Sequence, residues 1–164
     1  MLKFITAVLS AALSLTVNVH ALEAAKADRA LPEISAVDEN GAQFSLNQFK
    51  DKMGIVVFFF PKAFTGGCVC ENNGFRDYAA AYQQKGYVVL GASRDDPKIL
   101  RIFKEKYGLN YTLLSDPNDD LANALGLHPG KRDTIVIGKD GVVMRMYHDV
   151  NAPTHHKTLI NEIQ

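Results

Sequence analysis

Apolar positions in this chain are grouped in two ways, as unbroken runs and as spaced stripes. Ile55 to Phe60 is an unbroken run of β-branched and aromatic residues, the pattern of a central strand covered on both faces. Pro61 stops it, because proline has no N–H to give to a neighbouring strand. Tyr87 to Ala92 repeats the pattern, and Tyr111 to Leu114 is a shorter version. Between the runs, Phe75, Tyr78, Ala79 and Tyr82 recur at helical spacing and predict a helix from Cys68 to about Gln84, with Gly86 placed to end it. Asp96-Pro97 followed by Ile99, Leu100, Ile102, Phe103 and Tyr107 predicts a second helix with an acidic cap, proline in its first turn and Gly108 at its end. Asp119 to Leu125 reads as a short helix stopped by Gly126, and Pro153 to Ile163 as a last one.

Two hairpins complete the pattern. Ile34 to Val37 and Gln43 to Leu46 flank Asp38-Glu39-Asn40-Gly41, where Asn40 and Gly41 both tolerate the positive φ of a tight turn. Thr134 to Ile137 and Val142 to Tyr147 flank Gly138-Lys139-Asp140-Gly141. Strands that alternate with helices and finish in a hairpin imply an α/β fold: a mixed central sheet with helices on both faces and an N-terminal hairpin.

Composition changes the picture mainly at the start of the chain. The 164 residues are 47% hydrophobic and 22% charged, the range of one globular domain with a real core. Lys3, the apolar and small-residue run Phe4 to Val17, and Val19-His20-Ala21 have the layout of a secretory signal over residues 1–21, too short and too Ser/Thr/Ala-rich for a secure membrane span, with an uncleaved anchor as the alternative. Residues 22–30 read as a polar leader and residues 31–164 as the domain. A periplasmic or secreted location is the expectation. Lys and Arg number 18, as do Asp and Glu, so no basic field is available for nucleic acid, and a small neutral partner is expected.

Both cysteines, Cys68 and Cys70, follow Gly66-Gly67. A disulfide between them closes almost no loop and removes little unfolded-state entropy, which argues for reactivity over cross-linking. Cys68 is expected at the N-terminus of a helix that follows the C-terminal end of a central strand, where free N–H groups and the helix dipole favour thiolate over thiol. Thr65 can place a hydroxyl beside that sulfur.

Pro61-x-x-x-Thr65-x-x-Cys68 resembles the PxxxTxxC motif of the peroxiredoxins. Phe60-Pro61-Lys62, Gly74-Phe75-Arg76-Asp77 and Ser93-Arg94-Asp95 are similar to the bacterioferritin-comigratory-protein or PrxQ branch, over essentially all of the chain from Leu31 onward. The resemblance implies a thioredoxin-like fold and a thiol peroxidase acting on hydrogen peroxide or small organic hydroperoxides, with no metal or other cofactor. It implies Cys68 as the peroxidatic cysteine passing through a sulfenic acid. Thr65 would hydrogen-bond the sulfur and the peroxide, and Pro61 would shield the intermediate from water. Arg132, in the Arg132-Asp133-Thr134 match to the family's Arg-x-Thr, would stabilise thiolate and oxyanion.

The pattern departs from the branch at the second thiol. Many members carry a resolving cysteine five residues after the first, where this chain has Asn73. Cys70 is either a resolving thiol or a small core residue. Positions two apart on an intact helix point ~200° from each other, so a Cys68–Cys70 bridge needs local unwinding, for which Asn72, Asn73 and Gly74 are suitably poor helix formers. An external thiol reductant, thioredoxin-like, glutaredoxin-like or a small thiol, is therefore expected, acting on a monomer or weak dimer. Two other readings remain open: a disulfide isomerase using Cys68-Val69-Cys70, and a copper-delivery module using both thiols and a histidine.

Other polar groups have plainer expectations. Glu71 either favours the helix dipole or orients Arg132. Arg76 and Asp77 read as a structural ion pair, and Asp116, Asp119 and Asp120 as a loop and helix cap. His148 and the adjacent His155-His156 give no metal spacing with the thiols, and the latter pair is expected to face solvent at a helix start.

Overall fold

In the computed structural model, residues 31–163 apart from Glu33 are described; the expected signal segment and leader lie outside the described residues. The apolar run after Met53 forms the strand β3 (Gly54–Phe59), buried along its whole length. Its alternate residues serve two cores. Val56 and Phe58 pack with Phe75 and Tyr82, Leu100 and Phe103, and Leu159 and Ile160. Ile55, Val57 and Phe59 pack with Leu46, Leu121 and Leu125.

Those partners come from elements in the expected order. Strands β1 (Ser35–Asp38) and β2 (Gln43–Ser45) and a 3-10 turn (Leu46–Phe49) precede β3. Helix α1 (Gly66–Gln84), β4 (Tyr87–Ser93), α2 (Pro97–Tyr107), β5 (Thr112–Ser115) and α3 (Asp120–Leu125) follow it. The hairpin β6 (Thr134–Ile137) and β7 (Val143–Tyr147) and helix α4 (His155–Glu162) close the chain. The seven strands form one sheet in the order β2-β1-β5-β4-β3-β6-β7. β3 and β5 run parallel to β4, whereas β6 runs antiparallel to β3. The sheet is mixed with helices on both faces, as the alternation predicts: α1, α2 and α4 supply one core, and α3 with the 3-10 turn supplies the other. None of the helices among the described residues is long and apolar enough to cross a membrane.

Local chemistry accounts for the ends of the elements. Asp96 caps α2 by accepting from the Ile99 N–H at 3.0 Å, Pro97 opens it, and Gly108 closes it with φ 60°. The entry turn differs from expectation. Only Gly41 takes positive φ, at 82°. The Asp38 carboxylate instead holds the turn, accepting from the N–H of Asn40 at 2.9 Å and of Ala42 at 2.8 Å. An Asx-type turn therefore replaces a left-handed Asn40. At α3 the cap is Asp116, which accepts from the Leu121 and Ala122 N–H groups, while Asp119 makes a two-pronged pair with Arg94.

Candidate functional site

The sheet register brings the site together. β6 pairs with β3 so that Thr134 lies opposite Phe58, and the Phe59 N–H donates to the Asp133 carbonyl at 2.7 Å. Arg132 is thereby carried past the C-terminal end of β3, beside the loop that leads into α1. That loop is tied to β4 through Asp95, which accepts from the Ala63 N–H at 2.7 Å and the Ser93 hydroxyl at 2.6 Å. Within it Phe64 sits at φ 65°, an unfavourable conformation for a bulky residue. Its ring is held edge-on to Phe103 with centroids 5.1 Å apart and lies under Lys106 Nζ.

Cys68 is the third residue of α1 and is 1% exposed. The N–H groups of Gly66, Gly67 and Cys68 open the helix without intrahelical acceptors, so the thiol is carried at the positive end of α1. Arg132 Nη2 lies 3.5 Å from Cys68 Sγ, and Nη1 of the same guanidinium is bonded to Glu71 Oε2. Glu71 is one helical turn after Cys68 and fully buried, so it orients Arg132 as well as sitting at the helix start. Burial pushes the Glu71 carboxyl up to about 7, against the opposing pull of Arg132. Burial also works against the Arg132 charge, but Glu71 and Cys68 outweigh it and raise its affinity for the proton. Gly67 makes room for the group: a Cβ there would meet Arg132 Nη2 at 3.3 Å.

The other expected site residues are placed as follows. Pro61 is exposed at the end of β3. Thr65 precedes α1 with extended backbone, and its hydroxyl donates to the Lys62 carbonyl at 3.0 Å, not to the Cys68 sulfur. One proton serves one acceptor, so the Thr65 oxygen has only lone pairs left to offer a further partner. Cys70 is exposed, which corrects the core alternative, and both thiols are free. The helix is unbroken through Asn72, Asn73 and Gly74. Buried Asn72 donates to the Cys68 carbonyl at 2.9 Å, and the Tyr111 hydroxyl bonds Asn72 at 2.9 Å. Those bonds hold the first turns of α1 where its composition favours fraying.

Two histidine expectations change. His155 and His156 are buried, not solvent-facing, because α4 packs against α1 through them. A Cβ at Gly74 would come within 2.3 Å of the His156 ring, and burial pushes His155 down to about 4. His148 meets two residues that sequence reasoning missed, His128 and Asp133. The predicted hairpin contained the signal: with Thr134 opposite Tyr147, the register continues to Asp133 opposite His148. Arg76 and Asp77 do form an exposed ion pair at 2.8 Å, and Arg76 also donates to the Tyr107 carbonyl.

Chemically, the arrangement sets a guanidinium against one buried thiol at a helix start, so a fixed cation faces negative charge that develops beside the sulfur. The sequence model of the AhpC/TSA family matches residues 27–146. Peroxiredoxin Bcp of Escherichia coli (strain K12) is 33% identical over 147 residues, which cover 83% of this chain and 94% of that protein. Chloroplastic peroxiredoxin Q of Gentiana triflora is 36% identical over 132 residues, covering 76% of this chain and 60% of the plant protein. The crystal structure of peroxidoxin BcpB from Mycobacterium tuberculosis superposes with a TM-score of 0.77 at 26% identity, covering 84% of this chain and 96% of that one.

Proposed function

The chain belongs to the AhpC/TSA family, on its Bcp and peroxiredoxin Q branch, and from that premise we propose that Cys68 is the peroxidatic thiol of a thiol-dependent peroxidase. The observation that carries this reading is the guanidinium of Arg132, shared between Cys68 Sγ and the buried Glu71 at the start of α1. The Cys68 thiolate attacks the outer oxygen of ROOH, the O–O bond breaks, and ROH leaves after its alkoxide takes up a proton. Sulfur is oxidised to the sulfenic acid and the peroxide is reduced. Arg132 and the free N–H groups of α1 meet the negative charge as it moves from sulfur to oxygen. The Thr65 oxygen accepts from the peroxide O–H, and Pro61 covers the mouth of the site. Hydrogen peroxide and small organic hydroperoxides are the substrate class; alkyl peroxide reduction is described for the bacterioferritin comigratory protein of Xanthomonas campestris.

Two external thiols complete the cycle. The first displaces water from the sulfenic acid and forms a mixed disulfide, and the second reduces it, releasing Cys68 and an oxidised thiol pair. Cys70 is not the resolving group in this reading, because it is exposed two residues along an unbroken helix from a buried Cys68. The same geometry removes the support for Cys68-Val69-Cys70 as an isomerase pair. Residues 1–21 act as a signal that delivers the protein to the periplasm or the exterior; a mature N-terminus at Leu22 in a cell fraction would support that assignment, and an intact Met1 would oppose it.

The experiment is intact-protein mass spectrometry after one equivalent of hydrogen peroxide with a sulfenic-acid trap present. A single adduct on Cys68 is expected in the parent and in Cys70→Ser, with no peroxide consumption by Cys68→Ser. A Cys68→Ser protein that consumes peroxide at the parent rate overturns the reading. Loss of two hydrogens without an adduct would make Cys70 the resolving thiol.

A further inference from the structure

Around Asp133, the residue after Arg132, three potential ligands converge that the peroxidase chemistry does not use. We propose that His128, Asp133 and His148 form a binding site for a divalent first-row transition-metal ion, of the zinc and iron(II) class. Their ligand atoms all lie within 4.8 Å of one another. His128 Nδ1 is 3.1 Å from Asp133 Oδ2, and His148 Nδ1 is 2.7 Å from the same oxygen. Ligands bound at ~2.1 Å around such an ion stand about 3 to 3.5 Å apart, so these separations need only small adjustments to enclose one.

The acidic ligand is built into the fold. The Asp133 side chain is 0% exposed, and each of its oxygens accepts from a backbone N–H, Oδ2 from His128 at 2.9 Å and Oδ1 from Asp149 at 3.0 Å. Those donors fix the carboxylate's orientation before any ion arrives, as the outer shell of a metal site does. The two imidazoles are its solvent-reached partners, with side chains 63% and 39% exposed. Their rings lie with centroids 4.4 Å apart, and both Nδ1 atoms meet the same carboxylate oxygen. A neutral imidazole moves its proton to Nε2, which frees the Nδ1 lone pair for the ion. Two imidazole nitrogens and one carboxylate oxygen are borderline ligands that suit zinc, cobalt, nickel and iron(II), and three protein ligands leave positions open to water. The hard cations magnesium and calcium, which take oxygen ligands, are not matched by this set.

The test uses the reduced full chain without an affinity tag, titrated with Zn²⁺ by calorimetry and with Co²⁺ by its visible absorption. Saturation at one equivalent is expected, and His128→Asn and His148→Gln should each weaken binding at least tenfold. Because His128 and His148 are exposed, both variants keep the fold, as circular dichroism will check, whereas Asp133→Asn removes an acceptor from a buried network. The double variant Cys68→Ser/Cys70→Ser should bind the metal as tightly as the parent, which separates the site from the thiols and from the peroxidase reading. No saturable binding, binding that survives both histidine replacements, or binding lost only with the thiols would each overturn the proposal.

Discussion

At the residue scale, the site depends on how one guanidinium is shared between a sulfur and a carboxylate. Gly67→Ala tests that directly. A Cβ 3.3 Å from Arg132 Nη2 presses the group away from Cys68, while alanine inside a helix start is better than glycine by up to about 1 kcal/mol. Peroxide turnover is therefore expected to fall severalfold in stopped-flow assays while the urea midpoint holds or rises. Glu71 gives a pH signature. Its carboxyl is raised from 4.5 to about 7 in the folded protein, so below pH 4.5 both states hold the proton and its contribution is fully present. As pH rises toward 7 the unfolded chain gives up the proton first, and stability on the order of 3 kcal/mol is lost. His155, lowered from 6.5 to about 4, works oppositely: its contribution is present above 6.5 and lost as pH falls through 4. The parent's stability relative to Glu71→Gln should fall steadily between pH 4.5 and 7 in urea unfolding. A flat difference would mean that Glu71 keeps its ordinary acidity.

At the element scale, the first turns of α1 combine chemistry with a composition poor in helix formers. Their order comes from the chain of bonds Tyr111 hydroxyl to Asn72 and Asn72 to the Cys68 carbonyl. In the proposed cycle Cys68 is 1% exposed, so an external thiol is expected to reach its sulfenic acid through opening of this turn. Tyr111→Phe should speed re-reduction relative to the first oxidation, because it removes that restraint and leaves the peroxide site untouched. It should also lower stability by about 1–3 kcal/mol, the cost of a buried acceptor left unpaired. Single-turnover rates with each reagent check this; equal effects on both steps would show that the turn does not gate re-reduction. Much of this element was legible in the sequence. Phe75, Tyr78 and Tyr82 mark its buried stripe, and its end before Gly86 follows from composition. That Asn72 strengthens the helix instead of fraying it was not legible, because the reason is Tyr111, 39 residues away.

At the scale of the whole molecule, apolar surface is well covered over the described residues. Among the described residues the exposed large hydrophobics are Phe64, Ile102 and Met144, and single side chains of this kind do not make a stable interface. We expect a monomer in sedimentation velocity at low micromolar concentration, with self-association only on concentrating; a dimer that persists on dilution would contradict it. The amino-acid sequence by itself determined what is local. The strand Gly54–Phe59, the capped helix Pro97–Tyr107 and the Pro61, Thr65 and Cys68 spacing all lie within one turn, run or loop, where periodicity and backbone preference act. Tertiary structure alone decided which distant groups meet. Antiparallel pairing of β6 with β3 sets Arg132 against Cys68, and the β6–β7 register sets Asp133 against His148. Packing of α4 on α1 buries two histidines that the sequence alone leaves facing water. The reason is that side-chain burial and charge pairing are properties of the assembled sheet and its helices, fixed only once the strands have chosen their neighbours.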